Sequence, residues 1–130
     1  MPVVRTTEKP LMEGNRPDWC KVTSAGVFAV PTKNGRFDCH YHDFAEYWLV
    51  FRGKAKILSE GKTYFVKTGD IVCTKAGDEH DVLEVYEGFE AFWFEDPCPP
   101  NGSVGHLHRD GEKAKGHTVP AKPLPTDFPA

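Results

Sequence analysis

Clusters of basic residues, long apolar runs and closely spaced cysteines are all missing from this sequence of 130 residues, and each absence removes a class of function. Sixteen Lys and Arg against nineteen Asp and Glu give a net charge of -3. With no basic track for a phosphate backbone, nucleic acid is not expected as a partner. The longest purely apolar run is 47–51, far short of the roughly 20 residues that cross a bilayer as a helix, so no membrane partner is expected. No basic-then-apolar signal pattern opens the chain, and a cytoplasmic location is expected. Cys20, Cys39, Cys73 and Cys98 lie at long, unequal spacings. All four are expected as reduced thiols. A catalytic Cys39 beside His40 is disfavoured, because neighbours on a strand point to opposite faces.

Proline is also absent from residues 32–96, although the chain has 11 of them at its two ends. That clear middle is where paired, central strands are expected. Within it Gly53, Gly61, Gly69 and Gly77 recur every eight residues beside charged or polar turn formers. Short runs rich in β-branched and aromatic residues fill the intervals, at 27–30, 36–42, 46–52, 55–59, 62–66, 70–74, 81–86 and 90–94. No helical period competes with them. The pattern predicts one all-β domain, most simply an antiparallel jelly-roll barrel of about eight strands over residues 26–96. Residues 1–25 form an N-terminal arm in this reading, and 97–130 a proline-rich C-terminal tail or lid.

Chemistry concentrates at His40, His42 and Glu46. Two residues apart on a strand, the two imidazoles leave one face about 6–7 Å apart along the chain, so both can reach one ion. Glu46, after a short turn, opens the next strand and brings a carboxylate to the same place. His80 follows a glycine turn at Gly77 and starts a later strand, which makes it the fourth donor. Three His and one carboxylate leave open positions on a divalent transition metal, whether Fe, Mn, Ni, Co or Zn.

These residues resemble the cupin superfamily, whose first motif reads Gly, five residues, His-x-His, three or four residues, Glu, six residues, Gly. Here Gly35, His40, His42, Glu46 and Gly53 stand in that order with a first gap of four. The second motif is matched by Gly69, Gly77 and His80, with Lys75 and Glu84 in place of the family's proline and asparagine. The resemblance covers residues 35–84 and implies a small single-domain, cupin-like jelly roll with His40, His42, Glu46 and His80 as metal ligands. The outward, apolar side of Tyr47, Leu49 and Phe51 needs a cover, whether the second sheet, a terminal arm or another subunit. Many cupins pair through such surfaces, and the resemblance implies a homodimer.

Around the ligands, strand alternation places Arg36 and Asp38 on the His40 face, and Phe37, Cys39 and Tyr41 on the other. Arg36 and Asp38 are therefore the candidate catalytic groups, the arginine to hold a substrate carboxylate or phosphate and Asp38 to orient a ligating histidine. The competing reading pairs Arg36 with Asp38 in solvent. Trp48 and Val50 share the Glu46 face and are expected to wall a substrate pocket. A second His-x-His, His106 and His108, lies in the tail with His117 beyond it, and is expected as a separate loop or a lid.

An open metal site of this kind fits a metal-dependent enzyme acting on a small molecule. Isomerase or lyase chemistry on a hydroxylated or carboxylated compound of sugar or sugar-acid type is expected first. A dioxygenase comes second, and a non-catalytic small-molecule-binding cupin third. Cupin lyases that cleave dimethylsulfoniopropionate carry a tyrosine two positions after the ligand glutamate, where this chain has Trp48.

Overall fold

A computed structural model describes residues 3–130. Eight strands and one short helix run in the order β1 Leu11–Met12, β2 Ser24–Val30, β3 Arg36–Phe37, β4 Glu46–Ser59, β5 Lys62–Lys67, β6 Ile71–Thr74, β7 His80–Glu95, α1 Gly111–Lys115 and β8 His117–Thr118. All strand pairings are antiparallel. The main sheet has the order β1-β2-β7-β4-β5, with β6 on the other part of β4, and β3 pairs β8 separately. Among the described residues no helix is long and apolar enough to cross a membrane.

The turn expected at Gly53 is instead a bulge inside one long strand, which absorbs the separate runs 46–52 and 55–59. The register against β7 shifts on both sides of it, between Val50 and Ala55. Before the bulge the buried residues are Glu46, Trp48 and Val50; after it they are Ala55, Ile57 and Ser59. An extra residue changes the inward parity from even to odd, so both halves of the strand face one interior despite the bend. Gly53 has φ of 85° and a Cβ there would lie 2.0 Å from the Gly88 carbonyl oxygen, so only glycine fits. β7 likewise joins the two expected runs 81–86 and 90–94. Ile57, Val82, Val85, Phe89 and Ala91 are fully buried between these strands and form the core.

Residues 36–42 do not make the single strand that their pattern predicts. They take three partners in turn: β8 for Arg36 and Phe37, His80 for His40, and Leu107 for Tyr41. Strict alternation therefore breaks at Asp38 and Cys39. Phe37 turns inward and stacks on His40 with ring centroids 5.4 Å apart, while the outer face of Tyr41 carries the Arg109 guanidinium at 4.4 Å.

Both terminal segments pack on the barrel. β1 extends the sheet edge beside β2. The tail crosses the mouth through Leu107, β8 and a parallel bridge from Ala121 to Val85. Ion pairs from Lys113 to Glu79 (2.8 Å) and His117 to Asp81 (2.6 Å) hold it down.

Candidate metal centre

Three elements bring the four expected donors together. His40 and His42 come from the segment after β3, Glu46 opens β4, and His80 opens β7, whose first residue exchanges both backbone hydrogen bonds with His40. All four side chains are buried, and one donor atom from each lies within 4.8 Å of the others. His40 Nε2 and His80 Nε2 face each other at 2.8 Å, and Glu46 lies 3.0 Å from His42 Nε2 and 3.4 Å from His80 Nε2. The second nitrogen of His40, Nδ1, hydrogen-bonds the Asp38 carbonyl oxygen. If it donates there, the Nε2 lone pair is left for an ion. Trp48 Nε1 donates to Glu46 Oε1 at 2.7 Å and fixes that carboxylate.

Two features fit a cation-binding set rather than buried polar residues satisfied by one another. His42 Nε2 is buried with no hydrogen-bond partner, a costly state for a ring nitrogen unless it coordinates something. A second carboxyl, Glu95, pairs with Glu46 across β4 and β7 and is equally buried, with Oε2 3.8 Å from His42 Nε2. Burial pushes Glu95 up, reinforced by its hydrogen bond to Glu46 and that group's charge. Burial would raise Glu46 too, but the His42 ring 3.0 Å away, the Glu95 carboxyl and the His80 imidazole hold it below the ordinary carboxylate range. Without an ion the two carboxyls share one proton, because like charges in contact cannot both ionise. Residue spacing gave no direct sign of Glu95. The sign available was parity, since Phe89 and Ala91 place odd positions of that strand inward.

Burial holds His80 down to about 3, with Glu46 pulling the other way, so its ring is neutral and competent to ligate at pH 7. A group depressed in the folded state stabilises above its unfolded value and loses that contribution as pH falls toward its folded one. His80, Glu46 and Asp38 all behave this way. Glu95, raised instead, keeps its full contribution below its unfolded value of 4.5 and does not offset them there. The melting temperature of the metal-free protein is therefore expected to drop steeply from about pH 4.5 to 3, followed by circular dichroism. A flat profile across that window would contradict the neutral His80.

Asp38 lies 3.3 Å from His40 Nδ1 and also accepts from His106 Nδ1 at 2.8 Å and His108 Nε2 at 2.7 Å. Burial raises it, but these three imidazoles hold its carboxyl well below the ordinary value. The tail histidines are thus not on a separate loop: the His106 ring lies flat on His40, centroids 3.6 Å apart. Asp38, His40 and His106 also offer donor atoms within 4.8 Å of one another. Arg36 does not enter the site. Its guanidinium donates to the Lys115 carbonyl oxygen and, at 3.4 Å, to Thr118 Oγ1, because the β3–β8 pairing draws it to the outside. Val50 is also outside the cavity lining and packs in the core, one pleat deeper than Trp48. Cys39 is buried beside Glu79, and burial with the neighbouring acids pushes its thiol up to about 12, which leaves no thiolate nucleophile.

Beside His40 and Glu46 opens a cavity of about 540 Å³, walled by Phe28, Phe37, Trp48 and Trp93, with Glu95 and His106 near the donors and Glu13, Thr23 and Ser24 also in its lining. A fold in which two bent strands bring Glu46 and His80 against His40 and His42 of the segment before them defines a class, and comparison with known proteins agrees. Residues 26–94 match the model of the cupin domain, and the chain belongs to that family. A curated protein of Sinorhizobium fredii is 33% identical over 75 residues, 58% of this chain and 35% of that protein, so the chain matches only about a third of its relative's length. A conserved double-stranded β-helix protein of Klebsiella pneumoniae superposes with a TM-score of 0.59 at 18% identity, over 84% of this chain and 99% of that one. A predicted oxalate decarboxylase of Thermotoga maritima gives 0.58 at 19% identity, over 74% and 99%.

Proposed function

We propose that this chain is a metal-dependent cupin enzyme that transforms a small carboxylated or hydroxylated compound, its ion held by His40, His42, Glu46 and His80. The observation that carries the reading is the buried Nε2 of His42, without a hydrogen-bond partner among three other donors, two of which, His40 and Glu46, line an open cavity. A divalent ion there supplies Lewis acidity toward a carbonyl, carboxylate or hydroxyl oxygen. The chain's own groups supply the rest. Trp48 fixes Glu46, Asp38 orients His40 and His106, and the aromatic walls exclude water. Glu95 and His106 stand at the cavity's polar end as the groups able to hold or pass a proton. Two proton-handling groups beside a Lewis acid suit isomerase or lyase chemistry.

The apolar wall favours a second reading, a dioxygenase, whose substrate needs few wall contacts through hydrogen bonds. One experiment separates these from a binding module. A screen of small acids and hydroxylated compounds is run under air and under argon, with and without prior chelation. Turnover lost on chelation supports the enzyme, and turnover that also requires air supports the oxygenase. Metal-dependent binding without turnover of any compound would overturn both.

The outer face of β4 and β7 carries Tyr47, Leu49, Phe51, Phe92 and Phe94, with Phe51 and Phe94 each 38% exposed. A homodimer through this face is part of the proposal. Sedimentation is expected to give twice the 14.6 kDa chain mass, and Phe51→Glu with Phe94→Glu to give the monomer.

A further inference from the structure

The polar atoms along the cavity wall are already bonded to one another. Trp48 has a single donor, and Glu46 takes it. Trp93 Nε1 donates to Ser24 Oγ at 3.3 Å, and Thr23 Oγ1 donates to the Asp96 carbonyl oxygen at 2.7 Å. Near the donors stand the Glu95 carboxyl, paired with Glu46, and His106; elsewhere the exposed Glu13 has no side-chain partner among the described residues. With His106 Nδ1 engaged by Asp38, its Nε2 has no hydrogen-bond partner among the described residues. The cavity therefore presents polar groups at the metal-facing end and a mostly aromatic wall elsewhere, broken by Glu13 and Ser24.

Those rings form one continuous surface. Phe28, Phe37 and Trp48 are mutual neighbours, with centroids 5.2 to 5.7 Å apart. On the adjoining strand the Trp93 ring lies flat over Gly26, where a Cβ would come within 2.5 Å of its carbons. Glycine at 26 is thus what lets the indole sit at the wall. We propose that this cavity receives a planar aromatic acid of one or two rings, its ring against Phe28 and Trp48 and its acid group at the metal-facing end. This replaces the sugar or sugar acid that the sequence pattern alone suggests, and it rests on the metal-site reading given above.

A sugar acid brings about five hydroxyls, and each one buried without a partner costs about 1–3 kcal/mol. Away from the donors the lining offers only the exposed Glu13 and the Ser24 hydroxyl to meet them. An aromatic ring needs none, and each ring-on-ring contact adds about 0.5–1.5 kcal/mol beyond area burial. A volume of about 540 Å³ lies within the range of small-molecule sites and leaves room for a second fused ring.

Calorimetric titration of the full chain, zinc-loaded and metal-free, tests this with four probes: 1-naphthoate, benzoate, cyclohexanecarboxylate and gluconate. In the zinc form naphthoate and benzoate are expected to bind at least about tenfold more tightly than gluconate, and benzoate about threefold more tightly than its saturated analogue. Phe28 touches no metal donor, so Phe28→Leu should weaken naphthoate about fivefold and leave zinc affinity unchanged. Trp93→Leu provides a second variant should Phe28→Leu fold poorly. Gluconate binding as tightly as the aromatic acids would overturn the substrate class, and if that binding required zinc the metal-site reading would stand. Aromatic binding equal with and without zinc would leave the substrate class standing and overturn the metal-site reading. Failure of every aromatic acid to bind, or indifference of naphthoate to both substitutions, would overturn the proposal outright.

Discussion

Replacing His80 with alanine is expected to lower metal affinity at least about tenfold and to abolish any metal-dependent turnover, while the barrel stays folded. His80 is 1% exposed and provides one of three imidazole donors. Losing it leaves His40, His42 and Glu46, a set that still holds an ion weakly. The ring also packs on Trp48, with centroids 4.7 Å apart, so some stability is lost with it, on the order of 2–3 kcal/mol for a buried ring of this size. Elemental analysis after equilibration with a weak chelator separates ligation from folding, with circular dichroism as the control. His108→Ala removes a ring that bonds Asp38 and none of the four donors, and it is expected to keep its metal. Full metal retention in His80→Ala together with loss in His106→Ala would move the centre to Asp38, His40 and His106, the neighbouring group with compatible spacing.

Gly53→Ala is expected to destabilise the fold by about 3–5 kcal/mol, near the top of the range for single substitutions. Two costs add. The backbone there has φ of 85°, and the new methyl group would meet the Gly88 carbonyl oxygen at 2.0 Å and its carbon at 2.6 Å. Neither neighbour is a side-chain end that can swing away. Gly61 supplies the comparison, since its φ is 77° but a methyl group added there would meet nothing within 4 Å. Gly61→Ala should cost only about 1 kcal/mol, the conformational part alone. Urea titration of the two variants measures the difference. Equal midpoints would mean that the strand relaxes around Gly53, and that the bulge does not depend on a bare backbone.

The fold and the four donors were legible because their signals are local. His40, His42 and Glu46 span seven residues, and His80 sits at a fixed distance from the turn at Gly77. Strand alternation then placed Trp48 against the site. What was not legible depends on pairings between distant segments. Gly53 reads as a turn unless one knows that β7 continues opposite it, and the segment after Arg36 reads as one strand unless one knows that it takes three partners in turn. Arg36 followed from that false alternation, and so did the expectation that Phe37 turns outward. Glu95 became visible only when β7 laid it beside Glu46. The tail histidines could be seen in the sequence, but nothing near them in the chain said that they would close over His40.

The straps across the mouth join segments far apart in the chain: Ser103 to Asp43, 60 residues away, and Thr118 to Arg36, 82 residues away. Ordering a loop of that length costs entropy before any contact repays it, and a two-residue strand with a few half-exposed ion pairs repays little until the surface it docks on exists. The barrel must therefore form first and the cover afterwards. None of the four donors and none of the four aromatic walls lies beyond residue 93, so both are present in the earlier species and only the roof with His106 is added later. In the proposed reading, ion and small molecule alike reach their places before the cover docks over them. Detachment of the tail would reopen the mouth and would also lift His106 from His40 and the Gly105 carbonyl from His42 Nδ1, so cover and centre are linked.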